Sequence, residues 1–189
     1  MKNPKKILFF LITGFILTAA LTRLFPHPPN FTPVIAIALI AGTYFSRTAW
    51  AWAVPLFVML VSDLGLWWLY GYDFFNTMRL VIYLSLIAIV AIGIPVGRQI
   101  RATRVAGGSL AGALLFFIVT NFTVWLGGTL YPMTLEGLIA CYTAAIPYFR
   151  NTLFSTLLYA GLMYGVIEWA KIRWNLPARI ERQSLYTHV

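Results

Sequence analysis

The placement of charge constrains this chain more than any other feature. Apolar stretches alternate with short polar gaps, and alternate gaps fall into two sets. One set, together with both termini, holds Lys2, Lys5, Lys6, Arg47, Arg98, Arg101, Arg104, Lys171, Arg173, Arg179 and Arg182, against Glu168 and Glu181. The other holds Arg23, Arg79 and Arg150 against Asp63, Asp73 and Glu136. The first side thus carries the whole net charge of +9, and the second is balanced. Basic loops stay in the cytoplasm during insertion, so this asymmetry predicts an all-α protein integral to a membrane, with both termini in the cytoplasm. It also accounts for the basic charge without a nucleic-acid partner. Membrane lipid is the partner expected for the basic tail.

Composition agrees. Hydrophobic residues make up 60% of the chain and mean hydropathy is +0.80, which excludes an ordinary soluble domain. Six spans are predicted, at about 7–24, 33–45, 49–66, 79–96, 106–126 and 151–170. Residues 1–170 then form one transmembrane domain, and 171–189 a basic cytoplasmic tail. The run to Leu24 exceeds the roughly 7–15 residues of a signal-peptide core, so it reads as a retained first helix. The second span covers roughly 20 Å, too little for a hydrocarbon core of about 30 Å, and must be flanked by protein or extended by its loop. The apolar stretch 135–146, between Pro132 and Pro147, is also short. It reads as a helix lying at, or dipping into, the outer surface, with a seventh span as the alternative.

Polar groups recur at one depth. Arg23, Asp63 and Asn121 each lie roughly 21–24 Å up their spans from the cytoplasmic side. Arg79 opens the fourth span, and Arg150 and Asn151 open the sixth. Charge there is costly, so these groups should face inward, with Asp63 paired to Arg23, Arg79 or Arg150. Two readings follow: an ion-pair network that sets helix register, or a polar-bottomed pocket open to the outside. Aromatic residues gather above it, including Trp67 and Trp125. The loop 25–33 has four prolines in eight positions and reads as a stiff corner or a preformed lid. Asn30 or Thr32 would cap the next helix, with Pro33 as its first residue, and His27 and Asn30 are candidate ligand contacts.

Small residues four apart mark close helix packing. Ala38 and Gly42, Gly108 and Gly112, and Gly161 and Gly165 show this spacing. They pack the bundle internally or dock a partner subunit. The single cysteine, Cys141, reads as a small buried hydrophobe. The histidines His27 and His188 have no metal spacing, so no metal or cofactor is expected. Asp63, His27 and Glu136 are the only acid–base candidates. Without a Ser-His pair, metal cluster or carboxylate dyad, the chain does not read as an enzyme. Gly107-Gly108-Ser109 lacks the Lys and Ser/Thr of a phosphate-binding loop.

The motif Arg23-Leu24-Phe25-Pro26-His27-Pro28-Pro29-Asn30-Phe31-Thr32-Pro33 carries a resemblance, together with Ser62-Asp63, Asn121-Phe122-Thr123-Val124-Trp125, Cys141-Tyr142-Thr143-Ala144-Ala145-Ile146-Pro147 and Arg150-Asn151-Thr152. The chain resembles an uncharacterised family of small bacterial membrane proteins, themselves similar to the substrate-capture (S) subunits of energy-coupling-factor transporters. The resemblance implies a six-helix bundle that takes a vitamin- or micronutrient-like solute from outside. Its partners would be a transmembrane coupling subunit and cytoplasmic ATPases, which hydrolyse the ATP. The implied binding residues are Arg23, His27, Asn30, Asp63, Trp67, Asn121, Trp125, Arg150 and Asn151. Arginines would grip an anionic group and aromatics would stack on rings. Where capture subunits carry an Ala-xxx-Ala face on the first helix, this chain offers Gly14 and Thr18, with Ala38 and Gly42 on the second. The competing expectation is a membrane scaffold or assembly protein without transport activity.

Overall fold

A computed structural model describes residues 4–46, 48–71 and 76–177. Arg47, Tyr72, Asp73, Phe74 and Phe75, and the tail from residue 178 with His188, lie outside the described residues. The described chain is all helical: α1 (Pro4–Leu21), α2 (Val34–Phe45), α3 (Trp50–Tyr70), α4 (Thr77–Val96), α5 (Ala102–Leu126) and α6 (Leu135–Arg173), with a short 3-10 turn at Thr22–Leu24. Five helices are long and apolar enough to cross a membrane, and α2 is the short apolar exception. Large apolar side chains such as Phe10, Phe57, Trp68, Leu80 and Phe154 lie exposed on the outside of the bundle. A soluble monomer does not leave so much apolar surface in water, and lipid would cover it.

The short helix is the axis. All twelve residues of α2 are buried, and α2 touches each of the other five helices. At about 1.5 Å per residue it is roughly 18 Å long. Protein surrounds it throughout, as its length required. Its tightest neighbour is α4. A methyl group built on Gly42 would stand 2.0 Å from the Val90 carbonyl oxygen, and one on Gly93 2.3 Å from that of Leu39. Only glycine lets these two backbones approach so closely. Ala38 and Gly42 therefore face the bundle interior and present nothing to a partner subunit. Gly108 and Gly112 also pack internally, against Val96 and Ile35. Gly14, Gly161 and Gly165 have open space where a side chain would be.

Ends and loops follow local chemistry. Gly71, at φ 68°, closes α3 in the left-handed region, and the Asn76 side chain caps α4 by accepting from the Arg79 amide at 2.8 Å. In the proline-rich loop, the Phe31 amide donates to the Pro28 carbonyl at 3.0 Å while Asn30 holds φ 60°. Proline followed by a left-handed Asn is the pattern of a type II turn. Asn30 is thus used as a turn residue and not as a cap. Pro33 precedes α2, and no side chain caps that helix.

Residues 135–146 are not a separate interfacial helix. They are the outer third of α6, which runs 39 residues through Pro147. Proline removes one rung of the backbone ladder, and tertiary contacts on both sides of it hold the helix continuous. The Tyr142 hydroxyl donates to the Ile118 carbonyl at 2.7 Å, and Phe117 packs against both Tyr142 and Phe149. Cys141 is buried, with its thiol 3.5 Å from the Asn121 carbonyl.

Gly42→Ala should destabilise the bundle by about 1–3 kcal/mol, because the new methyl overlaps the Val90 backbone. Gly161→Ala should change stability by less than about 0.5 kcal/mol. Unfolding midpoints of the purified variants test the contrast, and equal effects would refute the assigned α2–α4 contact.

Candidate functional site

The outer charges converge on one carboxylate. Asp63 sits on α3, four positions after Met59 and so on the same face, which turns inward. Its Oδ1 accepts from Arg23 Nη2 at 2.9 Å. Its Oδ2 accepts from the Tyr83 hydroxyl at 2.9 Å and lies 3.5 Å from Arg79 Nε. Arg23 Nη1 also reaches the Ser62 hydroxyl and the Met59 sulfur. Asp63 is 5% exposed, and the two arginine side chains are 13% and 16% exposed. The carboxylate is thus nearly dry and holds two cations. Within this cluster two guanidinium groups face one carboxylate.

Each donor has a local reason for its position. Arg23 ends α1 in the 3-10 turn, which aims it across to α3. Arg79 and Tyr83 are four apart on α4 and share a face. Side chains on a helix lean toward its N-terminus, so both reach outward along α4 to Asp63.

A cavity of about 410 Å³ adjoins this cluster. Arg23, His27, Thr32, Leu66 and Tyr70 border it, with Leu24, Phe25 and Pro26. The Tyr70 hydroxyl donates to the Leu24 carbonyl at 3.0 Å and ties α3 to the loop. The His27 ring nitrogen Nδ1 is 3.0 Å from the Pro28 carbonyl.

The nine residues expected to form one pocket do not come together in one place. Arg23, Asp63 and His27 belong to the cluster and its cavity. Trp67 is half exposed and lies off the cavity; Leu66 and Tyr70 line it instead. Arg150 and Asn151 border a different cavity of about 590 Å³ with Pro147 and Phe154. Asn151 donates to the Pro29 carbonyl at 3.0 Å, and Asn30 is exposed in the turn that this bond anchors. Asn121 and Trp125 are joint residues of the α5–α6 hairpin. Asn121 donates to the Phe117 carbonyl on its own helix, and the Trp125 indole donates to the Pro132 and Thr134 carbonyls. Arg150 takes no part in the Asp63 cluster. The sequence reading offered Asp63 a choice of arginines, whereas it holds two. Tyr83 escaped notice, although its position four residues after Arg79 was a usable signal.

The opposite end of the bundle has its own polar network. Thr43 donates to the Gly93 carbonyl or shares a proton with Tyr164 at 2.6 Å. The Tyr44 hydroxyl donates to Glu168 at 2.6 Å, and Lys171 pairs with the same oxygen at 2.7 Å.

The chain belongs to a family of unknown function, DUF6580, which it matches over residues 3–179. No curated protein and no solved structure matches it significantly.

Asp63→Asn should cost about 3–5 kcal/mol, since it leaves two buried arginines side by side. Tyr83→Phe removes one hydrogen bond to a charge and should cost about 1.5–3 kcal/mol. Thermal unfolding of both variants tests the order. A Tyr83→Phe loss as large as the Asp63→Asn loss would refute Asp63 as the hub.

Proposed function

We propose that this protein is a solute-capture subunit of a bacterial cytoplasmic membrane. It binds a small organic anion from the outer side for an energy-coupling-factor type uptake system whose partners hydrolyse ATP. The observation that carries this reading is that one guanidinium, Arg23, both closes the buried cluster and borders the cavity of about 410 Å³. A structural ion pair alone needs no open space beside it. Here the cluster adjoins a cavity walled by Leu66, Phe25 and Tyr70. A carboxylate or phosphate would take the Arg23 edge, and a flat apolar body would lie along the aromatic walls. The excess of basic residues in the gaps at one side of the bundle supports an orientation with both termini in the cytoplasm. Gly14 and Thr18 lie exposed along α1, a close-approach face for a coupling subunit.

The mutual pairing of Asp63, Arg23 and Arg79 favours the second reading, a scaffold whose outer charges only fix register. Ligand binding separates the two. Purified protein is heated with a panel of small carboxylates and phosphates carrying rings. A binding anion at about one hundred times its Kd should add about 2.7 kcal/mol of stability. Leu66→Trp should fill the cavity and abolish that gain while leaving the unliganded midpoint near the wild-type value. A wild-type protein that responds to no anion, or a response that survives Leu66→Trp, would refute the capture reading.

A further inference from the structure

A third cavity, unrelated to the Asp63 cluster, lies at the opposite end of the bundle. It is a groove of about 340 Å³ between α5 and α6. Its walls are Ala102, Val105 and Ala106 from α5, and Leu157, Gly161 and Gly165 from α6. The two glycines make it a groove, because a side chain at either would meet nothing within 4 Å. Leu157 and Glu168 are eleven residues apart, so the groove runs roughly 16 Å along α6.

One end is apolar and the other carries charge. Arg101 stands at the mouth as the residue before α5, and Lys171 pairs with Glu168 at the same end. No side chain caps α5. The first helical hydrogen bonds there run from the Arg104 and Val105 amides to the Arg101 carbonyl, which leaves the Ala102 and Thr103 amides ahead of them. Such amides and the helix dipole favour a phosphate. The groove also contains a carboxylate, Glu168. Tyr44 and Lys171 already hold it, so it does not neutralise Arg101.

We propose that this groove binds an anionic phospholipid, one acyl chain lying against Gly161 and Gly165 and the phosphodiester at Arg101 and the α5 N-terminus. A neutral apolar partner would leave Arg101 unanswered. A soluble anion would leave the apolar walls unfilled. A lipid with a negative headgroup meets both ends at once.

The test is native mass spectrometry and thermal unfolding of delipidated protein, with phosphatidylglycerol, phosphatidylcholine or inorganic phosphate added separately. Phosphatidylglycerol should be retained about fivefold or more over phosphatidylcholine, and Arg101→Gln should bring the two near parity. Gly161→Leu should expel the bound lipid, and if that variant does not fold, the Arg101→Gln comparison decides. Equal retention of the two lipids by wild type would overturn the proposal. So would phosphatidylglycerol binding unchanged by Gly161→Leu, stabilisation by inorganic phosphate alone, or a second copy of the chain in place of lipid.

Discussion

The arrangement depends on the shortness of α2. Lipid offers no hydrogen-bond partner to a helix end, so a helix of about 18 Å cannot stand alone in a hydrocarbon core of about 30 Å. It must be enclosed, and that demand sets the positions of its neighbours. Glycines at 42 and 93 bring α4 to backbone distance, and the remaining helices close the other sides. Gly112 touches both Ile35 and Ile89, so the start of α2 is level with residue 89 of α4. Tyr83, which holds Asp63, lies about 9 Å further out along α4. The proline-rich loop therefore runs back into the bundle from the level of Arg23 to reach α2. That descent leaves the space beside Arg23, and stiff prolines keep the loop from filling it. A helix that stops within the bundle, with its N-terminus toward a polar vestibule, recurs in membrane transporters.

Buried charge supplies the second constraint. Removing a carboxylate from water is costly, and one cation repays it only with good geometry. Asp63 receives two guanidinium groups and a phenol, which occupy both oxygens. These donors come from the end of α1 and from α4, so one side chain on α3 ties three elements together. Glu168 does the same at the opposite end through Tyr44 and Lys171. Apolar surface drives little association between helices in lipid, and such polar bonds together with glycine contacts carry proportionately more of the fixing.

Depth was legible in the sequence, and position around the bundle was not. Counting residues along each span placed Arg23 and Asp63 at one level, and they meet. The same count put Asn121 there, yet Asn121 lies on α5 and bonds along its own helix. Residue spacing measures height along a helix axis; which helices are neighbours depends on packing. The burial of α2 was readable because its only polar side chains are Thr43 and Tyr44 and its length falls short of a membrane. The continuity of α6 was hidden by Pro147, whose break in the ladder is outweighed by contacts to Phe117 and Ile118 that lie far away in sequence.

The members of the outer cluster are not held with equal rigidity. Arg79 and Tyr83 ride on α4, which is locked to α2 through glycines where any sliding would drive backbone atoms together. Asp63 is bonded to both donors on that helix. Arg23 follows α1, whose fully buried side chains among the described residues form the stripe Leu8, Ile12 and Ile16, with Ile7, Phe9, Leu11 and Phe15 only partly buried beside it. Its opposite face carries exposed Phe10, Gly14, Leu17 and Leu21. Any rearrangement at the outer cavity thus falls on α1 and the loop that follows it, because these move without opening the α2–α4 contact. Arg23 is the one cluster cation that borders the cavity, and it sits on the helix best able to shift. A ligand that draws the Arg23 guanidinium away from Asp63 leaves the carboxylate still held by Arg79 and Tyr83, so the buried charge stays compensated throughout the movement. Two arginines on one carboxylate thus allow one of them to leave.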